Sequence, residues 1–328
     1  MTTPSLPRAP GTAVIGGGTM GADVAVVLSR GGLPVTVVER DAAKAARLPA
    51  YIGAQLEAAG CAAHAGPITV VQQLEDVAWA DVGLVVECIV EQLAPKQQLF
   101  ARLVELAPPS ALLTSNSSGL PISRIAEGLP TRERMFGLHF FMPAHLVPLV
   151  EVVMGPDSDA EAAQALMQTM RRCASVPVLV RKDRPGFLAN RLQHALAREA
   201  FALLDDGVAS AEDIDAAVRF GFGFRFLAAG PILQRDHAGL DVHCAAAATI
   251  YPSLCNDDQP AKVLQQQVQA GRVGMKAGAG FSDWPEAERV ADRARYDRLL
   301  RAGLQLLADE LPPLPGAGAA PSSQRNPT

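Results

Sequence analysis

The sequence predicts an α/β chain in two parts, a parallel-sheet domain over residues 11–184 and an all-helical domain over residues 185–310. Three observations carry that prediction. β-Branched runs alternate with helical stretches through the first half, and a glycine-rich turn separates the first such run from the first helix. After about residue 185, strand-like runs become scarce and apolar residues take helical spacing instead.

Taken in order, residues 1–10 contain three prolines and read as a loose leader. Thr12–Ile15 is a strand, the glycine cluster follows, and Ala22–Leu28 has helical character. Gly31, Gly32 and Pro34 then punctuate the chain before a second strand at Val35–Val38. The run 81–90 is almost continuously apolar, through Val82, Leu84, Val85 and Val86, which fits a strand buried on both faces. Pro95 suits the first turn of a helix carrying Leu99, Leu103 and Leu106 on one side. Ala111–Thr114, Arg134–His139 and Leu149–Val153 read as three more strands. Beyond them, Leu188, Leu192, Leu196 and Leu203 mark a helix over 187–204 that Gly207 ends. Ala211–Phe220, Asp241–Ile250 and Gln259–Ala270 follow as helices, and residues 311–328, rich in Pro, Gly, Ala and Ser, read as a disordered tail.

Composition narrows the function. Hydrophobic residues make up 49% and charged residues 19%, which suits a folded chain. A net charge of -5, from 29 Lys and Arg against 34 Asp and Glu, offers nothing to nucleic acid or an anionic membrane. Met1–Pro10 has no apolar core for a secretory signal, and no apolar stretch approaches the ~18 residues of a membrane span. Five cysteines without a Cys-x-x-Cys pair make neither a disulfide framework nor a zinc site. The expectation is a cytoplasmic protein that binds no metal.

The sharpest local signal is Gly16-Gly17-Gly18-Thr19-Met20-Gly21. Gly16 allows a tight turn out of the strand, Gly18 lets backbone approach a pyrophosphate, and Gly21 lets helix and sheet pack closely. The helix N-terminus presents free N–H groups to the phosphates. Glycine turns are common, but this one follows a strand, opens a helix, and stands about 20 residues before Glu39 at the end of the next strand. There Glu39 would accept hydrogen bonds from the adenosine ribose and repel a 2′-phosphate, favouring NAD. A solvated strand-end acid is the plainer reading of Glu39, and Arg40 beside it leaves room for NADP.

Polar residues also interrupt apolar surroundings at Ser115–Ser118, at His139 between Leu138 and Phe140, and at Glu151 within Leu149–Val152. Each alone fits a satisfied core group or an exposed face as well as a catalyst. Together they suggest a His–Glu pair downstream of a nucleotide fold, which is what a hydride-transfer enzyme needs to handle an alcohol proton.

Seven segments, in one order along nearly the whole chain, resemble the L-3-hydroxyacyl-CoA dehydrogenase family. They are the glycine loop; Val86–Glu91 with Lys96; Ser115–Ser118; Leu138–Phe141; Leu149–Val152; Asp183–Arg191; and Gly274–Phe281. The resemblance implies a Rossmann-type domain and a helical domain that commonly dimerises. It implies an oxidoreductase of fatty-acid-type metabolism that converts a 3-hydroxyl to a 3-ketone with hydride transfer to NAD. By motif, His139 matches the catalytic base and Glu151 its carboxylate partner, while Ser118 and Asn190 match the residues that hold the reacting oxygen. Gly16, Gly18, Thr19, Met20, Gly21, Glu39, Glu91, Lys96, Asn116 and Lys276 fall at cofactor positions.

Two departures stand out. Met142-Pro143 stands where the family usually has Asn-Pro, and Met142 cannot hydrogen-bond as Asn does. The segment after Glu39 is also shorter than in the fatty-acid enzymes and carries only Lys44 and Arg47 as bases, where that family has a basic helical arm for coenzyme A. Gly221-Phe222-Gly223-Phe224-Arg225 resembles a string in relatives acting on small carboxylates, such as L-gulonate and carnitine dehydrogenases. Arg225 could therefore clamp a carboxylate, or simply lie on the surface. The leading expectation is an NAD-dependent 3-hydroxyacyl-CoA dehydrogenase. Its alternatives are the same chemistry on a small free 3-hydroxy carboxylate and a catalytically silent nucleotide-binding protein. His64, His145, His194, His237 and His243 read as structural, as do the cysteines.

Overall fold

The computed structural model describes residues 10–314, which divide into two compact units, one of 10–188 with 309–314 and one of Ala189–Ala308. The first is built on a single eight-stranded sheet. Its strands are β1 (Gly11–Ile15), β2 (Val35–Val38), β3 (Ile68–Val71), β4 (Val82–Glu87), β5 (Leu112–Ser115), β6 (Met135–Phe140), β7 (Leu149–Met154) and β8 (Val176–Val180). In space they run β3-β2-β1-β4-β5-β6-β7-β8. The strands from β1 to β6 pair in parallel; β7 turns antiparallel to β6, and β8 follows β7 in parallel.

Parallel pairing requires crossovers, supplied here by α1 (Thr19–Arg30), α2 (Ala42–Ala45), α3 (Leu48–Ala58), α4 (Leu93–Leu106), α5 (Ile122–Ile125) and α6 (Ala160–Arg172). Because side chains alternate along a strand, the sheet divides its apolar residues between two faces. Val14, Val37 and Val86 pack with Val24, Val27 and Leu28 of α1 and with Leu166 and Met170 of α6. Ala13, Ile15, Val85 and Leu113 pack with Phe100 and Leu103 of α4 and with Ile122 and Ile125. The Asp159 side chain accepts from Ala162 N at 2.7 Å, capping α6, whose buried Ala163, Leu166, Met167 and Met170 recur at helical spacing.

The anticipated strands form within a residue or so of their expected bounds, except that the run 81–90 is a strand only over Val82–Glu87. The sequence reading lacked β3 and β8. Both are outermost in the sheet, and Pro177 inside β8 removes a ladder donor, which only an edge tolerates. The compact units part after Leu188, and residues 309–314 group with the sheet unit. Leu188 donates its N–H to Glu151, so the strand-proximal turn stays with the sheet, and Leu314 packs on the first core. Most of the expected leader and tail, 1–9 and 315–328, lies outside the described residues.

The second unit contains α7 (Ala189–Asp205), α8 (Ala211–Ala216), α9 (Gly223–Arg225), α10 (Leu233–Ala238), α11 (Leu240–Ile250), α12 (Lys262–Gln269) and α13 (Glu286–Leu306). The helix expected over Ala211–Phe220 is interrupted. After α8 the chain forms a wider helical turn, with Gly221 leaving helical geometry at φ -94 and ψ -114. Asp205 at the end of α7 accepts from Lys262 N and Val263 N, fixing the start of α12. No apolar side chain of 189–308 is buried. Among the described residues, no helix is long and apolar enough to cross a membrane, and no group of three or more His, Cys, Asp or Glu could hold a metal ion.

Candidate active site

The strand order brings the C-terminal ends of β1, β4, β5 and β6 side by side, the edge at which open parallel sheets bind ligands. At the end of β1, Gly16 takes φ +104, a left-handed conformation that favours glycine. A Cβ on Gly21 would lie 1.8 Å from Gly16 O, so helix α1 can approach the strand only without a side chain there. Gly18 caps α1 without any side-chain hydrogen bond, and Gly18 and Thr19 are exposed, so the helix start faces outward uncapped. Beside it runs a groove of about 630 Å³ lined by Gly16, Gly18, Glu39, Arg40, Cys88 and Arg102. Glu39 sits at its rim, accepting from Gly17 N and Asp41 N, each at 2.9 Å. Burial pushes the Cys88 thiol well above its ordinary range, with Glu87 adding to the effect. An uncapped helix start above a groove with a fixed carboxylate fits a dinucleotide.

The end of β4 holds a charged network within the apolar sheet. Glu87 and Lys96 are both buried, with Lys96 Nζ 2.6 Å from Glu87 Oε1 and 3.3 Å from Glu91 Oε2. Glu87 also accepts from Ser115 Oγ at 2.6 Å and from Ile89 N at 2.7 Å, so the ends of β4 and β5 are tied together. Glu91 Oε1 gathers Ser117 Oγ, Ser118 N and Gly119 N at 2.5, 3.0 and 3.1 Å. Burial alone would raise the Glu91 carboxyl. The hydrogen bonds from Ser117 and Gly119 and the Lys96 charge outweigh it and hold the group below the ordinary carboxylate range. The loop carrying Ser118 is thus shaped around one carboxylate. Glu87, to which the sequence reading gave no role, joins these groups; the signal was a glutamate closing an otherwise apolar buried run.

At the end of β6, His139 lies directly opposite Glu151 of β7 in the antiparallel ladder. Directly opposed side chains share a face, and here His139 Nδ1 lies 2.7 Å from Glu151 Oε2, with both residues buried. Glu151 Oε1 accepts from Leu188 N at 3.0 Å. The rings of Phe141 and Phe187 flank the imidazole, with centroids 4.5 and 5.5 Å away. Asn116 Oδ1 accepts from Phe140 N at 2.9 Å, tying the serine loop to the strand that carries His139. Glu151 is therefore the partnered carboxylate rather than an exposed one. Met142 is 66% exposed. His145, 3.0 Å from the buried Asp23, belongs to a cluster joining α1, Tyr51 and Ala144 N, consistent with a structural part.

The other expected site residues stand in the second unit. Asn190 is half-buried near the start of α7, Arg225 is exposed at the end of α9, and Lys276 is exposed in the single turn Met275–Ala277.

Comparison with known proteins adds to this geometry. Residues 11–184 match the family described as 3-hydroxyacyl-CoA dehydrogenase, NAD binding domain, and residues 186–284 match its C-terminal domain. The 5-formyl-3-hydroxy-2-methylpyridine 4-carboxylate 5-dehydrogenase of Mesorhizobium japonicum is 32% identical over 86% of this chain and 94% of its own length. The 3-hydroxyadipyl-CoA dehydrogenase of Escherichia coli is 35% identical over 92% of this chain, which spans 62% of that enzyme. Among solved structures, a 5-formyl-3-hydroxy-2-methylpyridine 4-carboxylic acid 5-dehydrogenase, described as an NAD+-dependent dismutase, superposes with a TM-score of 0.87. It is 29% identical and covers 92% of this chain and 99% of its own.

Proposed function

The chain belongs to the 3-hydroxyacyl-CoA dehydrogenase family, and from that premise we propose that His139 is the base that takes the alcohol proton. The enzyme is an NAD-dependent oxidoreductase of the 3-hydroxyacyl-CoA dehydrogenase type, oxidising a hydroxyl to a carbonyl. The observation that carries the assignment of the base is the buried 2.7 Å contact between His139 Nδ1 and Glu151 Oε2.

NAD, when bound, accepts the hydride. The chain's own residues do the rest. The glycine loop and the start of α1 would hold the pyrophosphate, and Glu39 would hold the adenosine ribose. With Nδ1–H donated to Glu151, His139 presents Nε2 as the acceptor for the alcohol proton. Glu151 fixes the tautomer and stabilises the imidazolium that forms. Ser118, with its loop anchored on Glu91, hydrogen-bonds the reacting oxygen, and the resemblance gives Asn190 the same task. In the reverse direction His139 returns the proton to the ketone.

We propose a small free hydroxy carboxylate as the substrate. Between β2 and β3 the chain forms no basic arm for coenzyme A; α3 instead lies down with Leu48, Ile52 and Leu56 buried in the core of α1. The similarity to a pyridine-carboxylate dehydrogenase supports this reading. A thioester substrate remains the second reading, favoured by the many relatives named for acyl-CoA compounds. Following NADH absorbance with 3-hydroxybutyryl-CoA and a panel of free hydroxy acids decides it. Efficient oxidation of the thioester alone defeats the free-acid proposal.

We also propose a homodimer formed through the helical unit, whose apolar faces are uncovered. A cytoplasmic location suits a chain whose cysteines are all free thiols.

A further inference from the structure

Phe187 adopts φ +50, in the left-handed region that a bulky residue rarely enters. It ends the turn Arg184-Pro185-Gly186-Phe187, closed by Phe187 N donating to Arg184 O at 2.8 Å. Proline second and glycine third, the latter at φ +75, are the signature of a type II turn. The turn itself therefore accounts for Gly186 and not for Phe187. A glycine at 187 would take the same backbone without strain, so the phenylalanine is a local contradiction that the surroundings must sustain.

What surrounds it is the histidine–carboxylate pair. The Phe187 ring is buried at 4% exposure and lies tilted at 59° to the His139 imidazole, while Phe141 packs on the same imidazole at 58°. The left-handed step at Phe187 turns the next amide, Leu188 N, onto Glu151 Oε1, leaving Oε2 for the imidazole. The other end of the turn is pinned as well, because Asp183 Oδ2 accepts from Ser123 N at 2.8 Å. One residue thus confines the imidazole through its ring and orients the carboxylate through its backbone.

We propose that Phe187 is a positioning residue for the reaction, acting through His139 and Glu151 rather than on substrate or cofactor. This rests on the reading of His139 as the base. Rotation of the imidazole would break the Nδ1 contact and turn Nε2 away from the alcohol. A misplacement of a catalytic group by about 1 Å costs on the order of 10²-fold in rate.

The test compares full-length wild type with Phe187→Gly, which relieves the backbone strain and removes the ring, and Phe187→Leu, which keeps the bulk. Turnover is followed with 3-hydroxybutyryl-CoA or free 3-hydroxybutyrate, whichever the wild type oxidises. NADH affinity is read by fluorescence, and the Nδ1–H of His139 by NMR of histidine-labelled protein. For samples with wild-type circular dichroism, kcat should fall by about 10²-fold in Phe187→Gly and about tenfold in Phe187→Leu. NADH affinity should stay within about twofold, and the Nδ1–H should exchange with water faster. Should the glycine variant not fold, the leucine variant carries the test alone. Wild-type turnover and a wild-type Nδ1–H signal overturn the proposal, as does a loss of NADH affinity in step with turnover. His139→Ala separates the two readings. If it is inactive while Phe187→Gly is fully active, only the positioning role fails; if it stays active, the base assignment fails first.

Discussion

In the sheet unit, Phe136, Phe140 and Leu103 are buried almost completely, whereas in the helical unit Phe220, Ile232 and Leu240 stand 73%, 78% and 62% exposed. The difference follows from construction. A parallel sheet covered by crossover helices hides both faces within one chain, so the first unit completes its own core. Helices with an apolar stripe must find a second layer, and among the described residues 189–308 no apolar side chain is fully buried by one. Where such exposed apolar residues adjoin, they mark a place where another surface belongs. The sheet unit carries the His139–Glu151 pair on a scaffold with its own core, and the proposed dimer would cover part of the helical unit.

The largest effect expected lies in the sheet unit. His139→Ala should lower turnover by roughly 10²–10⁴-fold while NADH still binds, because the base acts on the alcohol. Near wild-type turnover would refute the mechanism. Next comes the core itself. Phe136→Ala should cost about 3–5 kcal/mol in urea denaturation, the ordinary price of emptying a fully packed site. Arg225→Met, on the helical unit, should reduce kcat/KM for a free acid by about 2–5 kcal/mol equivalent and leave a thioester almost untouched. Equal losses on both substrates would remove Arg225 from carboxylate recognition.

Ile232→Asp sharpens the contrast between the units. On a face that stays open to water, such a change should alter stability by no more than about 0.5 kcal/mol. If a second copy covers the face, sedimentation should show dissociation to monomers. A dimer that persists unaltered would argue that Ile232 lies outside the interface. The smallest effect concerns Glu91, whose folded pKa is depressed. Its contribution to stability is present above the ordinary carboxylate value and is lost as pH falls through the lower folded value. Glu91→Gln should therefore narrow the stability gap between pH 7 and acid pH, an effect kept small by the partial exposure of Glu91. An unchanged gap would show that its partners do not hold the carboxylate form.

The parts legible in the sequence are those whose cause is local. The glycine turn, the β-branched runs and the helical spacing of Leu192 and Leu196 each declare themselves within a few residues. α13 was not anticipated because Arg, Asp and Glu surround its sparse apolar residues and blur the stripe. The buried Glu87–Lys96 pair was hidden because its partners come from three separate segments. His139 and Glu151 stand out as polar residues in apolar runs and take their roles from a family resemblance; their contact depends on β7 reversing direction, which spacing does not reveal. The left-handed backbone of Phe187 is set by its neighbours in space, and its residue type argues against it.

The ladder that places His139 against Glu151 also says where this enzyme can be altered. In the segment 141–148 between their strands, Phe141 packs on the imidazole and Ala144 N donates to Asp23, so the latitude lies at the exposed Met142, while the hydrogen bonds of the two strands keep the pair in step. The strands themselves have no such latitude. A one-residue insertion between Leu149 and Glu151 that kept the ladder in place would turn the carboxylate to the opposite side of the sheet. Variation is therefore cheap at Met142 and costly in the strands, and directed evolution of this scaffold should be aimed accordingly.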